Sequence, residues 1–200
     1  GLALAWCWAV AGINGTLLSG MHRIVEGIVL RETETKETDK ILTVLTRTEG
    51  KLAVVARGAR RRRSRIAAAA QLLVYSEMTL YQKGNWSILD DASTIELFDG
   101  VRQDVELLAL GSYFAELTEL LTAEDVPAPE ILSLLLNALY ALGTLRREPA
   151  QVKAAFELRL LALGGFEPML ECCAVCGADV PEEPMLDVVQ GVLHCRRCVL

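Results

Sequence analysis

The sequence predicts an α+β chain, strands first and helices second, and three observations predict it. Apolar residues keep the period of strands from Ile24 to Leu97, recur at helical spacing from Val101, and give way at the end to two Cys-x-x-Cys pairs. The 200 residues are 52% hydrophobic and 23% charged, which is globular and long enough for one large domain or two small ones.

Residues 1–20, GLALAWCWAVAGINGTLLSG, carry no charge, and their apolar run from Leu2 to Ala11 is too short to span a bilayer. It matches a signal-peptide core in length, but no basic segment precedes it and Met21 opens a conventional sequence. The stretch therefore reads as a non-native or upstream extension without ordered structure, and no membrane association is expected.

Five strands follow: IVEGIVLR, KILTVLT, KLAVVAR, YSEMTLYQ and WSILDDASTIEL. They are rich in β-branched and aromatic residues, and in the fourth Tyr75, Glu77, Thr79 and Tyr81 alternate with Ser76, Met78, Leu80 and Gln82. Glu49-Gly50 and Lys83-Gly84-Asn85 supply turns. Between the third and fourth strands an arginine run precedes IAAAAQLL, whose alanines favour a short helix. Five antiparallel strands with a helix between the third and fourth are the layout of an OB-fold barrel, a scaffold used for single-stranded nucleic acid.

From Val101 the period changes. Val101, Val105, Leu108, Leu117, Leu120 and Leu121 predict one helix over VRQDVELLALGSYFAELTELL. Pro129 opens a second, PEILSLLLNALYALGTL, and Pro149 a third, ended by Gly164 and Gly165. The domain boundaries are thus 21–100 for the barrel and 101–200 for an all-helical domain carrying a four-cysteine zinc module at 171–200.

Charge separates the same two parts. Residues 21–100 hold 13 Lys+Arg against 11 Asp+Glu, and residues 101–200 hold 7 against 15, so the formal net charge of -6 conceals a basic first part. Six arginines, Arg57, Arg60, Arg61, Arg62, Arg63 and Arg65, crowd nine positions of that part. Guanidinium groups so close repel one another unless an anion is bound, and their planar fork suits phosphate. Lys40, Lys51 and Lys83 extend the expected nucleic-acid-binding surface, and Tyr75, Tyr81 and Trp86 are candidate stacking platforms. A solvated loop that keeps a sheet edge soluble is the plainer alternative, as burial in the core is for the aromatics.

Five of the six cysteines lie in the last 29 residues. Cys173-x2-Cys176 and Cys195-x2-Cys198, 18 residues apart, have the spacing of a four-thiolate zinc site, and Gly177 can take the positive φ that the first turn needs. Four thiolates leave no open position, so one structural Zn2+ is expected, supplying most of the module's folding free energy. Redox exchange by one pair, another metal, or an incidental spacing are the rival readings; Cys172 offers a competing spacing to Cys176, and His194 is expected to be a bystander. Catalysis is not expected: the chain has two histidines, no HExxH, no GxSxG and no P-loop around Gly50-Lys51.

The stretches EGIVLRETETKETDKILTVLTRTEGKLAVVARGARRRRSR and FELRLLALGGFEPMLECCAVCG and the closing CRRC resemble the RecO family of bacterial recombination mediators, from Met21 onward. The resemblance implies a cytoplasmic, nucleoid-associated, non-catalytic protein. Its implied partners are single- and double-stranded DNA, single-stranded DNA-binding protein, RecR and, indirectly, RecA; its implied activities are strand annealing and RecA loading. It also implies that Arg57, Arg60 and Arg61 to Arg65 match the family's basic DNA-binding loop and that Cys173, Cys176, Cys195 and Cys198 match its zinc ligands. Further helical sequence is implied after Cys198, so the helical domain reads as C-terminally truncated. A zinc-containing protein-binding adaptor, whose basic loop docks an acidic partner, is the alternative function.

Overall fold

A computed structural model of the chain describes residues 22–179 and 183–198. The expectation for residues 1–20 lies outside these.

Five strands close into a barrel: β1 (His22–Thr35), β2 (Asp39–Thr46), β3 (Gly50–Ala56), β4 (Tyr75–Lys83) and β5 (Trp86–Glu96), in the order β1-β2-β3-β5-β4. β1 is long enough to serve two neighbours. Its first half pairs with β4 from His22 to Ile28, its second half pairs with β2 from Gly27 to Thr35, and an irregularity between Val29 and Arg31 bends it. A short parallel pairing, Val54 to Ser87 and Val55 to Ile88, closes the barrel. This is the OB-like arrangement the strand count predicts.

The interior is filled by alternate residues of the strands, among them Val29, Leu42, Val44, Val54, Met78 and Leu80. The segment after β3 plugs one end by adding Ala59, Ile66 and Ala70 to that core. Here the structure departs from the sequence reading: IAAAAQLL forms successive turns, with a single α-type bond from the Ala70 N–H to the Ile66 carbonyl at 3.0 Å. The segment's apolar residues must face the barrel mouth at irregular spacing and reach Leu73, which adopts φ 62°; a regular helix cannot do both.

A helical body follows, comprising α1 (Asp99–Arg102), α2 (Val105–Leu121), α3 (Pro129–Gly143) and α4 (Pro149–Leu163). The single helix expected over 101–121 is two, because Asp104 caps α2 by accepting from the backbone N–H groups of Glu106 and Leu107. The break resets the helical phase. Leu107, Gly111, Phe114, Ala115 and Thr118 are buried, while Val105 and Leu120, expected on the core face, are exposed. Phe114 and Phe156 stack at 4.1 Å between centroids. Their core is continuous with the outer wall of the barrel through Ile28, Leu30, Leu45, Leu73 and Tyr75. At Gly50, with φ 75°, a Cβ would fall 2.4 Å from the Val126 backbone, so the turn into β3 and the loop before α3 are in direct contact.

A three-stranded sheet completes the described chain: β6 (Met169–Cys173), β7 (Pro184–Asp187) and β8 (Val192–Cys195), in the order β6-β8-β7.

Candidate nucleic-acid interface and metal centre

The arginine segment leaves β3 beside the β1–β2 turn, and that turn holds it. Asp39 Oδ1 accepts from the Gly58 N–H at 2.8 Å, and the Arg60 N–H donates to the Thr38 carbonyl at 3.0 Å. Gly58 itself has φ 65°. The Gly58 N–H, then Thr38 and the nearby Lys36 and Arg57 charges, hold the Asp39 carboxyl below its usual range against a smaller opposing effect of burial. The far end is gripped too: Lys40 Nζ, paired with Glu32 Oε2 at 2.5 Å, donates to the Ala70 carbonyl at 3.3 Å.

With Ala59, Ile66 and Ala70 turned into the barrel, all six arginines are exposed. Arg60 is engaged, pairing with Glu34 at 3.2 Å and donating to the Glu37 carbonyl at 3.3 Å. Among the described residues Arg57, Arg61, Arg62, Arg63 and Arg65 make no side-chain hydrogen bond or ion pair, so five cations remain available. Four of them, Arg57, Arg61, Arg63 and Arg65, line an open groove of about 460 Å3. Its other lining comes from the barrel wall, Tyr81 of β4 with Ile88, Leu89 and Asp90 of β5. Sequence reading missed this second wall, apart from Tyr81, because the β3–β5 pairing that sets β5 beside the arginines is long-range and carries no local signal.

The other expected contacts divide. Lys83 is exposed and pairs in register with the half-exposed Trp86 at the β4–β5 hairpin. Lys40 is largely buried in the clamp just described, and Lys51 Nζ donates to the Glu119 carbonyl of α2 at 2.8 Å. Both lysines thus hold parts of the protein together. Tyr75 is buried, its hydroxyl donating to Glu26 at 2.7 Å and accepting from Arg47 at 2.9 Å. The Tyr75 hydroxyl and Arg47 lower the Glu26 pKa, and burial raises that of Tyr75. Tyr75 is therefore core, and Tyr81 and Trp86 are the accessible aromatics.

The second site is built from two tight turns. The Gly177 N–H donates to the Cys173 carbonyl at 2.8 Å and the Cys198 N–H to the Cys195 carbonyl at 2.9 Å; Gly177 takes φ 70°, as its place in the turn requires. The Sγ atoms of Cys173, Cys176, Cys195 and Cys198 all lie within 4.8 Å of one another. Cys176 and Cys195 are 3.8 Å apart, far beyond a disulfide and equal to the edge, about 3.8 Å, of a tetrahedron with metal–sulfur bonds of about 2.3 Å. Backbone N–H groups of Cys176, Cys195 and Val175 hold the Cys173 thiol down to about 5, favouring the thiolate that binds metal, while its hydrogen bond with Cys195 pushes Cys198 up to about 12. The donor set fits a tetrahedral metal ion. Cys172 lies outside the cluster and bridges toward Asp179, and His194 contributes no ligand.

A closed five-stranded barrel with an arginine-lined groove, joined through one core to a helical body that ends in a four-thiol cluster, defines an OB-type protein built around a basic segment and a metal-capable module. The family model for "Recombination protein O N terminal" matches residues 21–98, and that for "Recombination protein O C terminal" matches residues 102–199. The chain is 34% identical over 173 residues to the DNA repair protein RecO of Acetivibrio thermocellus, covering 86% of this chain and 69% of that one. It is 37% identical over 178 residues to that of Symbiobacterium thermophilum, with 87% and 70% covered, and 33% identical over 173 residues to that of Listeria monocytogenes, with 86% and 67% covered. The chain belongs to the RecO family of DNA repair proteins. Among the described residues no helix is long and apolar enough to cross a membrane.

Proposed function

We propose that the chain is a non-catalytic recombination mediator that binds single- and double-stranded DNA through its arginine segment and anneals complementary strands. In this reading it acts in the bacterial cytoplasm, at the nucleoid during repair, with RecR to load RecA on strands coated by single-stranded DNA-binding protein. The observation that carries it is the groove lined by four internally unpaired arginines on an OB-type barrel, in a chain of a DNA repair family. One structural Zn2+ on Cys173, Cys176, Cys195 and Cys198 would tie the two turns together. We take 21–100 as the DNA-binding domain and 101–200 as the helical domain with the zinc module at 171–200.

The test is a salt titration of binding to single-stranded DNA, paired with annealing of naked complementary strands. With roughly four to six phosphates neutralised, the log-log slope is about -3 to -4. Replacing Arg60 to Arg63 with Ala flattens it, and an unchanged slope would overturn the reading. An adaptor that only docks an acidic protein would leave annealing at its spontaneous rate.

A further inference from the structure

We propose that the arginine groove has two chemically distinct walls, one for the sugar–phosphate chain and one for an unpaired base, and that Asp90 is the acceptor that selects bases carrying an exocyclic amine. The proposal rests on the DNA-binding reading and adds to it what the groove reads.

The two walls differ in kind. Arg57, Arg61, Arg63 and Arg65 line the groove from the segment after β3, whereas Tyr81, Asp90 and the almost fully buried Ile88 and Leu89 line it from β4 and β5. A carboxylate repels phosphate, so the Asp90 side of the groove cannot share the arginines' ligand. An apolar floor beside a half-buried phenol ring suits the flat face of a base. Asp90 is oriented for a directional contact: His22 Nε2 lies 3.2 Å from Asp90 Oδ2, and the His22 ring packs against Tyr81 at 5.7 Å between centroids. Among the described residues Oδ1 has no partner, which leaves one carboxylate oxygen to accept a hydrogen bond. Carboxylates accept from the N4 amine of cytosine, whereas the same position of thymine is the O4 carbonyl oxygen, which a carboxylate repels. In a duplex the face of the base is stacked on its neighbours, so a wall that takes both the face and the amine is filled only by an unpaired base.

The test is fluorescence anisotropy of the full chain with end-labelled oligonucleotides of about 15 nucleotides: all-cytidine, all-thymidine and abasic. The cytidine strand is expected to bind about fivefold or more tighter than the thymidine strand. The abasic strand is expected to bind about fivefold or more weaker than the cytidine strand. Asp90→Ala should abolish the cytosine preference without weakening thymidine binding, since it removes a repulsive charge; Asp90→Asn, which keeps a carbonyl acceptor, should retain part of the preference. Tyr81→Leu should bring both base-bearing strands toward the abasic affinity. Equal binding of the cytidine and thymidine strands, or a preference that survives Asp90→Ala, overturns the base wall while arginine-dependent binding stands. If Arg61→Ala combined with Arg63→Ala leaves all three affinities unchanged, the DNA-binding reading fails and takes this proposal with it.

Discussion

Asp39 Oδ1 accepts a hydrogen bond from the Gly58 N–H at 2.8 Å, across nineteen positions of sequence, and so fixes the point at which the arginine segment departs from the barrel. Glu34, near the end of β1, engages Arg60 at 3.2 Å. Two carboxylates thus fix the start of the basic segment and leave the remaining guanidinium groups without an internal partner.

Asp39→Ala should therefore loosen the segment. Limited tryptic nicking between Arg57 and Arg65 is expected to accelerate several-fold, while Asp39→Asn, which keeps an oxygen acceptor, changes it little. Because the folded-state pKa of Asp39 is lowered, its contribution is complete above the unfolded value of about 3.9 and is lost as pH falls through the lower folded value. The Gly58 amide proton resonance should accordingly hold steady at neutral pH and shift only below about pH 4. A resonance that titrates near neutrality would point to another partner.

The arginines should not contribute equally. Arg61→Ala and Arg63→Ala, in the groove, are each expected to reduce the salt slope on single strands by about 0.7, the increment of one phosphate contact. Arg60→Ala, already committed to Glu34 and the Glu37 carbonyl, should leave the slope almost unchanged. Equal losses at all three positions would show that the groove does not direct the strand.

Lys51→Ala should act on stability alone. Loss of its bond to the Glu119 carbonyl is expected to cost about 1–2 kcal/mol in urea unfolding, with the salt slope preserved. A reduced slope with unchanged stability would return Lys51 to the binding surface.

Removing the metal should act locally. Strong chelation, or Cys176→Ser, is expected to unfold the module from β6 onward, since the metal supplies on the order of 10 kcal/mol to such sites and the module's exposed Met169, Leu170, Val188 and Val189 contribute little core. Protease sensitivity beyond Phe166 should rise while the barrel keeps its hydrogen-exchange protection. One equivalent of zinc in the purified protein, lost together with that resistance, is the confirming measurement.

How far the sequence could be read follows from the range of the interactions involved. The cysteine cluster was legible because each turn is local and needs only its own two-residue gap and Gly177. The strands were legible because Met78 and Leu80 alternate inward regardless of what lies outside. On the outward face of the same strand Tyr75 and Tyr81 share a register position but not an environment: helices cover the first, and the groove receives the second. Nothing within β4 distinguishes them. The alanines of IAAAAQLL expressed helix propensity that the barrel mouth overrode, and the cap at Asp104 shifted the buried stripe of α2 away from Val105. Lys40 and Lys51 read as free cations because their partners lie on other elements, Glu32 across the β1–β2 pair and Ala70 and Glu119 30 and 68 positions away.

Adjacent residues of opposite charge, Asp39 and Lys40, hold the two ends of residues 58–70, one through a backbone N–H and the other through a backbone carbonyl. Neither grip depends on the side chains in between. The segment is consequently a cassette: its number of arginines can vary without disturbing the strands, provided that Ala59, Ile66 and Ala70 still plug the barrel. In the DNA-binding reading proposed above, affinity can then be tuned along a lineage, or by design, without renegotiating the fold.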